Sequence, residues 1–511
     1  YLTALGIVPK TWASEVIAVD AEAFASPMKA RPMPPQPLSA LDGYGPTGFV
    51  KLPPIDIARV LDEDARGEST LEKGVARLGV FVEPDAPLVV EGDVTSHGAW
   101  ELVDGGRRLW AVTLYAPGAI GLRVHFHRLA LPPGAQVLVY DLLDPWEAYG
   151  PYCGVSEDVW SATCFSDAVV VECSVPSVVS IEGLRLDIDR VAHLYRGFET
   201  WPSAKVAGYC NLDVACDASW PQSVSHTAED WSAVSLGIGG IGTIGRAGAL
   251  WCSGSLLADT DSDTTVPYFL TAYHCVSSAS AADSVEVYWQ YQRDECGGAV
   301  PLPETVPRSS GGADFLAGAS RFNGADFALL RLRDMPPARM TYLGWSTASA
   351  PAGTDVVCIH HPRGDYKRIT FGTLTRGDDP CGYSPPPAER FYQSTWYAGT
   401  TEAGSSGSPL MSGATQRVLG QLYGGYASCS AQTCPDYYGK FSDSFPLLEP
   451  WLTRNHDPLD VDYSGTVDAA DIQCVVNAAL AISVSYGADV NRSGAVDAVD
   501  VQLVILGVLG R

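Results

Sequence analysis

Between residues 78 and 455 the apolar residues come in short runs that alternate with polar ones and stop at glycine or proline. A period of two fits a pleated strand with one buried face and does not fit a helix, so most of this chain is restricted to β structure. LWAVTLYA (109–116), GLRVHFHRLAL (121–131), QVLVYD (136–141) and AVVVECSV (168–175) read as strands separated by turns such as APGA and LPPGA. Their spacing predicts a β-sandwich. A second series falls into two halves. ALWCSGSLLA (249–258), PYFLTAYHC (267–275), SVEVYWQYQ (284–292) and DFALLRL (326–332) form one half. DVVCIHHP (355–362), KRITFGTLT (367–375), RFYQSTWYA (390–398) and QRVLGQLYGG (416–425) form the other. Two such groups predict twin barrels. The Pro- and Gly-rich stretch 26–48 reads as an extended arm. Helical patterns are expected at 56–66 and 69–77, and 180–210 as a connector.

Composition narrows the function. A net charge of −26 disfavours nucleic acid, whose phosphates need clustered Lys and Arg. It fits solubility outside the cell, calcium binding by carboxylates, or attraction of basic substrates. No run of 18 or more apolar residues occurs, so no membrane span is expected. The 13 cysteines form no CxxC pair, which points away from a zinc ribbon and toward disulfides in an oxidising compartment. Cys153, Cys164 and Cys173 are expected to supply one disulfide. Export is therefore expected, although no signal peptide is visible at the start of the chain.

The chemistry centres on EAGSSGSPL (402–410), a turn that presents Ser406 between small residues. Alone, a Gly/Ser-rich string is an ordinary loop. A serine hydroxyl attacks only when a base takes its proton, and the attacked carbonyl needs hydrogen-bond donors. The N–H groups of Gly404 and Ser406 are placed to be those donors. Upstream, TAYHC puts His274 at the end of an apolar strand, and FNGADFALLRL puts Asp326 at the start of another. The order His–Asp–Ser is that of chymotrypsin-type proteases. His274 is the expected base, Asp326 the residue that fixes its tautomer, and Ser406 the nucleophile. Asp314, in another ADF triplet, competes with Asp326. His360 and His361 are adjacent on a strand, so they face opposite ways and do not share one metal easily. No cofactor is expected for catalysis.

Residues 206–455 resemble the lysyl endopeptidase family of secreted serine proteases, with a chymotrypsin-like double β-barrel. The resemblance rests on GYCNLDVAC, CSGSLL, YFLTAYHC, VYWQYQ, DFALL, IHHP, KRIT, GSSGSP and VLGQLYGG. It implies the disulfides Cys210–Cys429, Cys216–Cys296 and Cys252–Cys275, with a further pair among Cys358, Cys381 and Cys434. A trypsin-like enzyme carries its pocket carboxylate six residues before the nucleophile, where Thr400 stands here. The family alternative falls on Asp436 in CPDYYGK, which implies cleavage after Lys and leaves Arg open. Tyr423, Gly424 and Gly425 would flank that pocket. Tyr423 replaces a family histidine, and no tryptophan stands in CGYSPPPAERF, where Tyr383 is the nearest aromatic. The upstream β-rich unit resembles a propeptide, and Lys205 is the expected processing site, freeing Val206.

The tail carries a repeat with an offset of 29 residues: DVDYSGTVDAAD (460–471) and DVNRSGAVDAVD (489–500). Oxygen ligands at loop positions 1, 3, 5, 9 and 12, with glycine at 6, fit an EF-hand calcium loop. The first loop offers Asp460, Asp462, Ser464, Asp468, Asp471 and the Thr466 carbonyl. The second offers Asp489, Asn491, Ser493, Asp497, Asp500 and the Ala495 carbonyl. Aspartate at position 12, and a helix only after each loop, resemble dockerin modules, which implies structural Ca²⁺ and a cohesin-type partner. The expected organisation is an arm (1–77), a β-sandwich propeptide-like unit (78–205), a serine protease unit (206–455) and a small α-helical dockerin-like EF-hand pair (456–511). The expected function is a secreted endopeptidase acting on proteins and peptides. The alternatives are a silent binding or adhesion protein and a protease of different preference.

Overall fold

The computed structural model describes residues 17–18, 36–41, 44–68, 74–196, 207–221, 228–246, 248–261, 266–382, 384–453, 457–462, 464–479, 488–491 and 496–510. The expected processing site at Lys205, Tyr383, and the loop residues Ser493 and Ala495 lie outside them.

The chain is mainly β. Two six-stranded sheets form the N-terminal sandwich. One is ordered Tyr149–Tyr152, Gln136–Asp141, Ala168–Pro176, Arg107–Tyr115, Gly48–Lys51, with Glu101–Val103 also on Arg107–Tyr115. The other runs Val155–Trp160, Gly121–Ala130, Arg185–Leu194, Leu88–Glu91, Val94–Thr95, with Gly79–Val82 also on Arg185–Leu194. Inward residues of both, among them Trp110, Val112, Val124, Phe126 and Val171, share one buried core. The four strands read from the sequence in this unit are present. The connector expected at 180–210 is not: Arg185–Leu194 is a ten-residue central strand. Its alternation is masked by charged residues at the part-exposed positions Arg185, Asp189 and Arg190.

The second unit is built from two sheets. The first is eight-stranded and contains Ile238–Gly245, Gly248–Leu257, Tyr268–Ala272 and Phe327–Leu332 as successive neighbours. In the second, Arg368–Thr375 pairs with both Asp355–His360 and Phe391–Ala398, which closes six strands into a barrel. One apolar cluster joins the two. Leu257, Leu270 and Phe327 come from the first sheet, and Val357, Ile369 and Phe371 from the second. The helix Phe441–Leu452 seals it with Phe441, Phe445 and Leu448. This shared core fixes the two sheets relative to each other, and so the cleft between them.

The N-terminal residues do not stay apart from this second unit. The helix Ile57–Glu68 matches the first expected helix. The second, at 69–77, is not formed in its described part: Ala76–Arg77 is a strand that pairs antiparallel with Leu250 and Trp251. Pairing with an open sheet edge overrode the local helical pattern. Further upstream, Ile17–Ala18 pairs with Thr341–Tyr342.

Among its described residues the tail forms two helices, Ala469–Ala479 and Ala498–Val508, each after a repeat loop. They pack through Val461, Val475, Ala478, Ala488 and Val504. Among the described residues no helix is long and apolar enough to cross a membrane.

Candidate active site

His274 lies two residues beyond the strand Tyr268–Ala272, and Asp326 immediately precedes Phe327–Leu332. These strands are hydrogen-bonded neighbours, with Ala272 opposite Phe327. The pairing therefore brings the two side chains to one rim. His274 Nδ1 is 2.6 Å from Asp326 Oδ2, and the His274 N–H donates to Asp326 Oδ1 at 3.3 Å. Asp326 is buried and has a φ of +55°, an unusual backbone held by the Tyr273 N–H donating to its carbonyl. The rival Asp314 is engaged elsewhere, accepting from Arg331 at 2.8 Å and from Arg333 at 2.9 Å. Burial works against its charge, but these guanidinium groups hold its carboxyl below the usual range.

Ser406 sits in a turn with left-handed glycines on either side, Gly404 at φ +85° and Gly407 at φ +83°. A Cβ on Gly407 would lie 2.2 Å from Thr271 Oγ1, so the turn packs directly on the first sheet. The Ser406 carbonyl accepts from the Ser253 N–H at 2.9 Å and faces Cys275 Sγ at 3.8 Å, next to His274. Ser405 anchors the turn from the other side. Its Oγ accepts from the Glu402 N–H and is 2.8 Å from His360 Nδ1. His361 faces away, toward the Asp365 carbonyl, and stacks on Tyr291. Among the described residues, neither Ser406 Oγ nor His274 Nε2 makes a hydrogen bond, and Ser406 is fully buried. The Gly404 N–H donates to the carbonyl of Gly74 at 3.1 Å.

Asp436 opens the strand Asp436–Lys440 and is fully buried. Its Oδ2 accepts from Trp396 Nε1 and from Thr401 Oγ1, both at 2.7 Å, and its Oδ1 from the Ala427 N–H at 3.3 Å. Gly425 is opposite Asp436, and a Cβ there would lie 2.3 Å from Asp436 Oδ1. Gly424 pairs with Tyr437. Tyr423 packs edge-on against His274 and Phe391, and its hydroxyl takes a hydrogen bond from Arg321. Trp396 and Thr401 were not singled out in the sequence. The alternation of RFYQSTWYA puts Trp396 on the buried face, and that was the available signal.

Four disulfides are present. Three are those implied by the resemblance, Cys210–Cys429, Cys216–Cys296 and Cys252–Cys275. The fourth, Cys381–Cys434, ends two residues before Asp436. The disulfide expected among Cys153, Cys164 and Cys173 does not form. Cys164 bridges Leu122 and Cys173 lies in Ala168–Pro176, strands of different sheets, while Cys153 is exposed.

In the tail, ligand oxygens of Asp460, Asp462 and Asp471 lie within 4.8 Å of one another, with Asp460 and Asp471 buried. Carboxylates crowded this closely fit a hard cation, which offsets their repulsion. Asp471 accepts from the N–H groups of Asp462 and Asp468. Asp500 repeats this with Asn491 and Asp497. Ser464 and Thr466 lie in the first loop, where Ser464 Oγ donates to the Thr466 carbonyl. Asp489 is at the start of the second.

Family models match along most of this architecture. Residues 88–195 match the lysyl endopeptidase N-terminal domain and residues 204–439 the lysyl endopeptidase C-terminal domain. The chain belongs to the lysyl endopeptidase family. It differs from a bare lysyl endopeptidase by residues 458–509, which match the dockerin type I domain. A lysyl endopeptidase of Pseudomonas aeruginosa is 28% identical over 394 residues, covering 74% of this chain and 81% of that one. Among solved structures, the Rv3671c protease from M. tuberculosis in its active form is 19% identical, with a TM-score of 0.31 over 51% of this chain and 97% of that one. Human heparin binding protein is 16% identical, with a TM-score of 0.31 over 44% of this chain and 94% of that one. This lysyl endopeptidase-family chain is thus a serine endopeptidase carrying a dockerin-type tail.

Proposed function

We propose that the protein is an exported endopeptidase that cleaves after lysine through His274, Asp326 and Ser406. The observation that carries this reading is the 2.6 Å contact between His274 Nδ1 and Asp326. It assigns the proton on the imidazole to Nδ1 and leaves Nε2 to act as base. His274 takes the Ser406 proton as the hydroxyl attacks the carbonyl, and the N–H groups of Gly404 and Ser406 stabilise the oxyanion. The amine leaves with that proton, and water then attacks the acyl-enzyme with His274 again as base.

Asp436 is the proposed reader of the lysine. Its hydrogen bonds from Trp396, Thr401 and Ala427 hold the carboxylate in one orientation. A substrate ammonium would pair with it as the opposite charge, and acidic side chains would be repelled. The test is cleavage of a peptide library that varies the residue before the cut. Wild-type enzyme is expected to favour Lys, and Asp436→Ala to lose about two orders of magnitude in kcat/KM on Lys substrates. A profile that Asp436→Ala leaves unchanged would falsify the assignment.

In the tail, Asp460, Asp462, Ser464, Thr466, Asp468 and Asp471 would hold one calcium ion, and Asp489, Asn491, Ser493, Ala495, Asp497 and Asp500 a second. The ion would neutralise the carboxylates and tie each loop to its helix. The dockerin match supports docking to a cohesin-type partner. Residues 1–77, 78–205, 206–455 and 456–511 are the proposed arm, propeptide, protease and tail, with a cut after Lys205 maturing the enzyme.

A further inference from the structure

From Gly74 to Leu78 the chain lies against the protease unit. Gly74 gives its carbonyl to the Gly404 N–H at 3.1 Å. Ala76 and Arg77 then run antiparallel to Trp251 and Leu250, and the Leu78 N–H donates to the Ala249 carbonyl at 2.8 Å. The pairing is packed as well as hydrogen-bonded. Ala76 and Leu78 are buried with Trp251, Tyr288 and Tyr366, against Ala403 beside the serine turn. Val75 packs on the core of the first sheet.

This geometry has the sense of a bound substrate. The donor that stabilises an attacked carbonyl marks the residue before the cut. Gly74 occupies that position, and residues 75–78 follow the path of the leaving half. The residue at the reading position is glycine, so no side chain is offered to Asp436. The segment is held from behind. Arg77 Nε donates to Asp64 at 2.7 Å, Asp64 accepts from the Tyr195 hydroxyl at 2.6 Å, and the Tyr195 N–H returns to the Leu78 carbonyl at 3.0 Å. The helix Ile57–Glu68, the strand Arg185–Leu194 and the segment are thereby fastened together. The full burial of Ser406 accords with a covered cleft.

We propose that residues 74–78 are an autoinhibitory strap, lying in the chain's own cleft in a substrate-like but uncut register and keeping the unprocessed chain latent. This rests on the reading of Ser406 as nucleophile and Gly404 as oxyanion donor.

The test uses the full chain with Lys205→Ala, to keep the strap attached, and a small fluorophosphonate that labels a reactive serine irrespective of lysine preference. Processed wild-type enzyme, freed of its cut N-terminal part by gel filtration in acid and returned to neutral pH, is expected to label at least tenfold faster than the intact Lys205→Ala chain. Adding Ala76→Pro, which breaks the pairing with Trp251, restores most of that rate. Arg77→Ala, which loosens the anchor without touching the protease unit, restores part of it and serves if the proline variant does not fold. Gly74→Lys in the same background is expected to create a cut between residues 74 and 75, read as a new terminus at Val75 and absent with Ser406→Ala. A Cβ on Gly74 meets nothing within 4 Å, so the position accepts a side chain. Equal labelling of intact and processed chains would overturn the strap. Cleavage after Lys73 in the Lys205→Ala chain, or none at Val75 in the Gly74→Lys variant, would overturn the register. A processed enzyme that takes no label would overturn the assignment of Ser406, and the strap with it.

Discussion

His274 and Asp326 are 52 residues apart, and what brings them within 2.6 Å is two neighbouring strands in register. Elsewhere single residues carry energetic consequences that can be measured. Asp259 is buried just past the strand Gly248–Leu257, and its Oδ2 makes no hydrogen bond among the described residues. Burial pushes its carboxyl up to about 8, against the pull of the Asp261 N–H. Between the ordinary carboxyl value and about 8, the folded chain therefore binds a proton that the unfolded chain has lost, so this group makes stability fall as pH rises through that window. Asp259→Asn should leave the melting temperature nearly unchanged at pH 5 and raise stability at pH 8–9 by about 1–3 kcal/mol. Gly425 faces Asp436 with no room for a methyl group, at a φ of +154°. Gly425→Ala should shift the Asp436 carboxylate and lower kcat/KM on Lys substrates about tenfold or more, with the disulfides and the fold intact by mass and circular dichroism.

At the scale of elements, alternation identified the strands that carry large apolar residues and failed where glycine or pairing decided. Ile238–Gly245 reads IGGIGTIG and has too few side chains to signal a strand. It is one because Trp251 of the neighbouring strand fills the space: a Cβ on Gly240 would lie 2.2 Å from that ring. The strand Asp436–Lys440 is tied to residue 381 by Cys381–Cys434. Replacing both cysteines by serine should cost about 2–4 kcal/mol and raise KM for Lys substrates more than it lowers kcat, because the loop entering Asp436 loses its tether. In the tail the helix Ala469–Ala479 carries Asp471 in its first turn, close to Asp460 and Asp462. Chelating calcium should melt the tail helices at a lower temperature than the protease unit, and Asp471→Ala should reproduce this in calcium. Circular dichroism with and without chelator reads both.

At the scale of the whole molecule the sandwich rests on the protease unit through a buried polar cluster. Glu286 of the first sheet accepts from the Thr163 N–H at 2.9 Å and from its hydroxyl, and faces Arg123 at 3.6 Å and Arg308 at 3.8 Å. Arg123 in turn donates to the Ser284 carbonyl at 2.8 Å, and Arg308 to the Thr163 carbonyl at 2.9 Å. Burial opposes the charge on Glu286, but Arg123, Arg308 and Thr163 together hold its carboxyl below the usual range. The stabilisation is present above the ordinary carboxyl value and is lost as pH falls toward the lowered one. The sandwich should therefore stay bound after the linker is cut at neutral pH and separate in acid, as seen by gel filtration of Ser406→Ala chain nicked by a second protease. Glu286→Ala strands two guanidinium groups and should weaken the association by about 3–5 kcal/mol.

The sequence by itself determined the class of each unit and pointed to the chemistry proposed for the site, because period-two alternation, the ordered His, Asp and Ser, and the repeated Asp-rich loops are local patterns with local causes. Only the tertiary structure decided which aspartate serves His274, since Asp314 and Asp326 share the same ADF setting and differ in whether arginines reach them. It also decided that Trp396 and Thr401 hold Asp436, that 185–194 is a central strand, and that 76–77 pairs with 250–251. Each depends on a partner far along the chain, and an edge strand or a buried carboxylate takes its role from what the fold sets beside it.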